Sequence, residues 1–165
     1  MNKDDYNIQN KLKKWFVDTE KIVIAGIGNP IRRDDFVGLK IVQDLKNIVL
    51  SKNVFLLECE TVPENYMQEI IDLNPSHVLL IDAAFLGLEP GQIRLVFPRQ
   101  IDDFPATTTH ILPLRIFCDY ITQMVETKIA LLLIEPENTD FGEGLTPKIE
   151  MVAMKTVAVL RKLLS

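Results

Sequence analysis

The sequence predicts an α/β fold: a three-layer α/β/α sandwich around a twisted, mostly parallel five-stranded sheet. Three observations carry this. Short apolar runs rich in β-branched residues, KIVIAGI at Lys21 to Ile27, HVLLI at His77 to Ile81 and KIALLLI at Lys128 to Ile134, have the composition of strands buried on both faces. Segments with apolar residues at helical spacing separate such runs. Strand and helix alternate along most of the chain, as in a parallel sheet covered by helices on both sides.

Residues 5–17 form the first predicted helix, with Ile8, Leu12, Trp15 and Phe16 on one face. It precedes the alternating pattern, so residues 1–20 read as an N-terminal extension. After the first strand comes a loop, Gly28 to Arg33, and a helix beginning near Asp34 or Asp35 with Val37, Ile41, Val42 and Leu45 on one face. Val54 to Leu57 is the second strand, and Pro63 opens the next helix. The third strand, His77 to Ile81, ends at Asp82. A turn at Gly87-Leu88-Glu89-Pro90-Gly91 leads to a fourth, edge strand over Ile93 to Phe97. A long polar loop carries Asp102 to His110. Pro113 suits the first position of the following helix. Lys128 to Ile134 is the fifth strand, and Thr146 is the expected N-cap of the last helix.

The 165 residues, 47% hydrophobic and 25% charged, fit a single globular domain over 1–165. A net charge of -5 excludes bulk attraction to nucleic acid or to an anionic membrane. No apolar run approaches the ~20 residues needed to span a bilayer. The polar, acidic start Met1 to Tyr6 lacks the order of a secretory signal. Cys59 and Cys118 have no CxxC partner and read as reduced, buried thiols of a cytoplasmic protein. A monomer is expected.

In an open α/β sheet, ligands bind outside the carboxyl ends of the strands. The polar residues following the strands are Asn29, Asp34 and Asp35; Glu58, Glu60, Glu64 and Asn65; Asp82; Thr107, Thr108, Thr109 and His110; Glu135 and Glu137. Two carboxylates and a neutral imidazole from this rim make a plausible ligand set for nickel or zinc, with positions left for water or a partner's ligands. There is no HExxH and no GxSxG. Each residue also has a plainer reading. Asp34 and Asp35 suit a helix N-terminus, Asp82 a strand-end turn, His110 a hydrogen-bonded loop, and His77 a surface position at a strand start. Arg32 and Arg33 read as a solvated pair or as contacts for an acidic partner. Gly26-Ile27-Gly28 resembles a nucleotide loop, but Ile31 stands where the third glycine of GxGxxG belongs.

Taken together, the motifs resemble those of the hydrogenase maturation endopeptidases. Gly26-Ile27-Gly28-Asn29 with Asp34-Asp35 is similar to that family's GxGN…D(D/E) start, and Pro63-Glu64-Asn65 to its P-E-N segment. Asp82-Ala83 with Gly87 to Arg94 resembles its D-A…G-x-x-P-G-x-I/V-R stretch, and Thr108-Thr109-His110 with Pro113 its T-H-x-x-P segment. The Asp-Asp form and the Leu-Glu-Pro-Gly stretch look closest to the subgroup serving membrane-bound hydrogen-evolving hydrogenases. The resemblance spans residues 22–135, and the part after Ile134 matches loosely.

The resemblance implies an endopeptidase that removes the C-terminal extension of the nickel-loaded large-subunit precursor of a nickel-iron hydrogenase. It implies Asp35, Asp82 and His110 as the residues contacting nickel carried by that precursor, with Asp35 and Asp82 as the catalytic pair. Phe36 departs from the glycine or alanine often found there and places a bulky side chain beside the cleft. Two rival readings use the same residues: a non-proteolytic nickel-sensing chaperone, and a nucleotide or small-ligand module built on Gly26 to Asn29.

Overall fold

The computed structural model describes residues 3–49, 51–103 and 111–165. In chain order the elements are α1 (Lys3–Trp15), β1 (Ile22–Ile27), α2 (Val37–Lys46), β2 (Val54–Glu60), α3 (Met67–Leu73), β3 (His77–Ala83), β4 (Ile93–Val96), α4 (Ile111–Met124), β5 (Lys128–Ile134) and α5 (Pro147–Leu164). The sheet order is β2-β1-β3-β5-β4. β1, β2, β3 and β5 run parallel, and β4 closes one edge antiparallel to β5. This is the expected mostly parallel five-stranded sheet.

The three central strands are buried because both faces of the sheet are covered. Ile22 and Ile24 of β1, Leu79 and Ile81 of β3, and Leu132 and Ile134 of β5 join one core, shared with α1, α2 and α5. The alternate residues Val23, Ala25, Val78, Leu80, Leu131 and Leu133 join a second core, with Ile70 of α3 and Phe117 and Ile121 of α4. The period of two along each strand thus splits one apolar run between two helical layers.

Element starts differ from expectation in instructive ways. β3 continues through Asp82 to Ala83, so the carboxylate lies inside the strand. α2 begins at Val37, and Arg33–Phe36 form a separate 3-10 turn before it. A second 3-10 turn, Pro63–Tyr66, opens α3. α4 starts two residues before Pro113, still within the first turn, where a missing N–H costs nothing. Thr146 does occupy the N-cap of α5, but it makes no side-chain cap. Its hydroxyl donates to Asp34 instead.

Three glycines let α2 sit directly on the strand ends. A Cβ at Gly38 would lie 2.1 Å from the Ile81 carbonyl oxygen and 2.5 Å from that of Ile27. A Cβ at Gly26 would meet the Gly38 oxygen at 2.5 Å, and one at Gly28 the Asp35 oxygen at 2.1 Å. These glycines are therefore occupied by the protein's own backbone, which removes the nucleotide-loop reading of Gly26 and Gly28. Gly38→Ala is expected to push α2 off the sheet at a cost of about 1–3 kcal/mol or more, by overpacking against rigid backbone. Chemical denaturation of the variant checks this.

His77 does start a strand, but it is not a surface residue. It is 1% exposed, and its ring meets Trp15 of α1 edge-on at 4.9 Å between centroids. Nδ1 lies 3.0 Å from Ser76 Oγ, while Nε2 has no hydrogen-bond partner. Burial pushes the imidazole below its ordinary value, and the Lys128 ammonium adds to the effect. The folded-state pKa is thus below the unfolded value of about 6.5, so the unfolded chain binds this proton more readily. The contribution is complete above that unfolded value and is lost as pH falls below it, at up to about 1.4 kcal/mol per pH unit until the folded pKa is reached. His77→Phe keeps a ring against Trp15 and carries no proton. Urea denaturation at about pH 7.5 and 5.5 should show the wild type losing more stability than the variant on acidification.

Candidate active site

The chain order within the sheet reverses around β1: the crossover from β1 leads outward to β2, and the next returns to β3 on the other side. The crevice between the carboxyl ends of β1 and β3 is therefore the topological switch point, where ligands bind in such folds. Both described residues of the predicted trio belong to its walls. Asp82 is the penultimate residue of β3, one beyond Ile81, which pairs with Gly26 of β1. Asp35 sits in the 3-10 turn that follows β1, its backbone pressed on Gly28. Three residues on, Gly38 touches the Ile81 carbonyl, so the turn bearing Asp35 is anchored beside the end of the strand bearing Asp82.

The two carboxylates differ in environment. Asp82 is 1% exposed, and one oxygen accepts the Ala83 N–H at 2.8 Å. It has the strand parity of Val78 and Leu80, hence belongs to the face covered by α3 and α4. α4 begins at the residue following His110. Asp35 is half-buried. Its Oδ2 accepts the Asn29 N–H at 3.0 Å, and Oδ1 has no partner among the described residues. His110 and Thr107 to Thr109 lie outside the described residues. Among the described residues, no three His, Cys, Asp or Glu side chains gather closely enough to hold a metal ion.

The adjacent Asp34 does a different job. It is fully buried. Its carboxylate accepts backbone N–H groups of Glu137 (3.0 Å), Asn138 (2.9 Å) and Thr146 (2.8 Å), and the Thr146 hydroxyl. Its own N–H donates to Asn138 O at 3.0 Å. Asp34 thus fastens the loop between β5 and α5 to the turn that carries Asp35.

The remaining rim carboxylates also separate. Glu135 is 4% exposed, and its carboxylate accepts the N–H groups of Leu86 and Leu88, holding the loop after β3. Glu58 lies within β2 and pairs with Lys46 at 2.7 Å, which holds its carboxyl below the usual range. Glu60, Glu64, Asn65 and Glu137 are exposed. Phe36 is half-buried, and the close backbone approach falls on Gly38. Cys59 and Cys118 are free and 1% exposed, and burial pushes both thiols up to about 12, as inert core residues.

Residues 39–162 match the family model described as HycI, hydrogenase maturation protease. The chain belongs to the hydrogenase maturation protease family. It is accordingly a peptidase. The hydrogenase 3 maturation protease of Escherichia coli strain K12 is 30% identical over 129 residues, covering 78% of this chain and 81% of that protein. The crystal structure of the nickel-iron hydrogenase maturation protease HycI from Thermococcus kodakarensis KOD1 superposes with a TM-score of 0.86 at 31% identity, over 93% of this chain and 98% of that one. The solution structure of the endopeptidase HycI from Escherichia coli gives 0.77 at 26% identity, over 87% and 90%. The family match runs into α5, so the stretch after Ile134 belongs to the likeness more firmly than its motifs indicate.

In this maturation protease the described rim thus resolves into two kinds of acid. Asp34 and Glu135 have their oxygens committed to backbone donors and hold loops in place. Asp35 keeps one oxygen without a described partner. No helix among the described residues is long and apolar enough to cross a membrane.

Proposed function

We propose that the protein removes the C-terminal extension of the large-subunit precursor of a nickel-iron hydrogenase, and that Asp35, Asp82 and His110 contact the nickel which that precursor carries. The observation that supports this most is the placement of Asp35 and Asp82 on the walls of one switch-point crevice, with Asp35 keeping an uncommitted oxygen. Carboxylate oxygens and a neutral imidazole are suitable contacts for a divalent nickel ion brought in by the substrate. Recognition energy then depends on that ion, and a precursor without nickel is left uncut.

For hydrolysis, a water held near Asp35 and Asp82 attacks the scissile carbonyl carbon. One carboxylate accepts its proton, the C–N bond breaks, and the proton passes to the departing amine. The working form is a cytoplasmic monomer; the free, buried thiols of Cys59 and Cys118 accord with a reducing compartment.

Mass spectrometry of purified precursor, nickel-loaded and nickel-free, before and after incubation tests this reading. Loss of the extension from the loaded form alone supports it. An unchanged mass in both forms contradicts cleavage, and equal cleavage of both contradicts nickel recognition.

A further inference from the structure

The arginine pair before Asp34 has a use that neither the fold nor the acidic crevice requires. Arg32 is exposed and donates from Nε to Thr139 O at 3.3 Å. Arg33 is different. Its backbone is in the left-handed region, φ 41°, which is uncommon for a residue with a long side chain. Its N–H donates to Gly142 O at 3.0 Å, and Gly142 N–H donates to Ile31 O at 2.8 Å. Gly142 lies directly on its guanidinium: a Cβ there would come within 2.9 Å of Cζ and Nη2 and 3.0 Å of Nε. Near-equal distances to three atoms of the plane mean that the glycine covers the face of the group and leaves its N–H edge uncovered. No hydrogen bond or ion pair of that guanidinium occurs among the described residues, although Arg33 is half-buried.

Two of the few exposed large apolar side chains flank it. Ile31 is 43% exposed and Phe141 is 77% exposed. Both stand on the segments that Arg33 and Gly142 tie together, and Asp34 fastens the same two segments from below. The result is a rigid patch, an oriented cation between two apolar side chains, continuous with the turn that carries Asp35.

We infer that Ile31, Arg33 and Phe141 form a docking subsite for an extended peptide segment, in which Arg33 takes a carboxylate of that segment. A planar guanidinium with free edge donors matches a carboxylate bidentately, and a preset geometry limits the ordering cost. On an otherwise acidic rim, this cation gives an acidic peptide one place to bind. The inference rests on the peptidase reading, since the bound segment is part of the substrate. The carboxylate belongs either to a side chain or to a peptide C-terminus.

Binding of short synthetic peptides to the full-length protein, followed by NMR titration, tests this without relying on cleavage. The probes are acetyl-Ala-Leu-Ala as free acid and as C-terminal amide, and acetyl-Ala-Leu-Glu-Ala amide against its Gln counterpart. At least one acid member is expected to bind about 5- to 10-fold tighter than its neutral partner, a preference of the size one charge-assisted contact provides. The pair showing it identifies the source of the carboxylate. Arg33→Gln should erase that preference, and Arg33→Lys should retain part of it, with thermal midpoints near the wild type's. Absence of any preference, no binding by any peptide, or a preference that survives Arg33→Gln overturns the inference. Cleavage of nickel-loaded precursor by the wild type is measured separately and reports on the peptidase reading alone.

Discussion

Asp34→Ala is expected to destabilise the protein by roughly 3–5 kcal/mol, a large part of the 5–15 kcal/mol that a domain commonly has. The substitution strips the partner from three backbone N–H groups and one hydroxyl at a site closed to water. Each orphaned buried donor costs about 1–3 kcal/mol. The loop between β5 and α5 then has little to hold it on the turn before α2. In a chain of this size the melting temperature should fall by roughly 10 °C, with activity lost through the fold. Asp34→Asn should lie between, because an amide offers one acceptor oxygen where the carboxylate offers two. Differential scanning calorimetry checks both.

Asp35→Asn, one residue along, is expected to behave in the opposite way. The asparagine oxygen still accepts the Asn29 N–H, the main tie of this half-buried side chain. Stability should change by less than about 1 kcal/mol, as for partly exposed positions outside a buried network. Processing of nickel-loaded precursor should slow by about 10²- to 10⁴-fold, the range for loss of a positioned base. Paired melting curves and cleavage rates make the contrast: one aspartate governs stability, its neighbour turnover. Comparable loss of stability in both variants contradicts the division of roles.

That division was not legible in the sequence. Two adjacent aspartates before a helix look alike, and the partners that separate them are contributed by Glu137, Asn138 and Thr146, more than a hundred residues downstream. For the same reason Thr146 is rightly placed as an N-cap while its hydroxyl is used elsewhere. His77 was misread as a surface residue because only tertiary packing brings Trp15 over it. By contrast, β1, β3 and β5 were legible because strands buried on both faces are continuous apolar runs. Asp82 fell outside its predicted strand because a carboxylate interrupts such a run, although the backbone pairing continues past it to Leu133. The half-buried outer strand β2 extends past Leu57, where its composition turns polar. The rim itself was foreseeable, since parallel strands place their following residues on one side. The close approach of Gly26, Gly28 and Gly38 was visible only as a glycine pattern with two meanings, and the backbone contacts select one.

The central claim is that Asp35, Asp82 and His110 meet around one nickel ion. Its most direct test is anomalous diffraction from crystals of the protein soaked in nickel or cadmium, with Asp35→Asn crystals treated alike. The account predicts one anomalous peak bounded by oxygens of Asp35 and Asp82 and a ring nitrogen of His110, weakened or lost in the variant. A metal bound by other residues, or a peak at that position unaffected by Asp35→Asn, contradicts it.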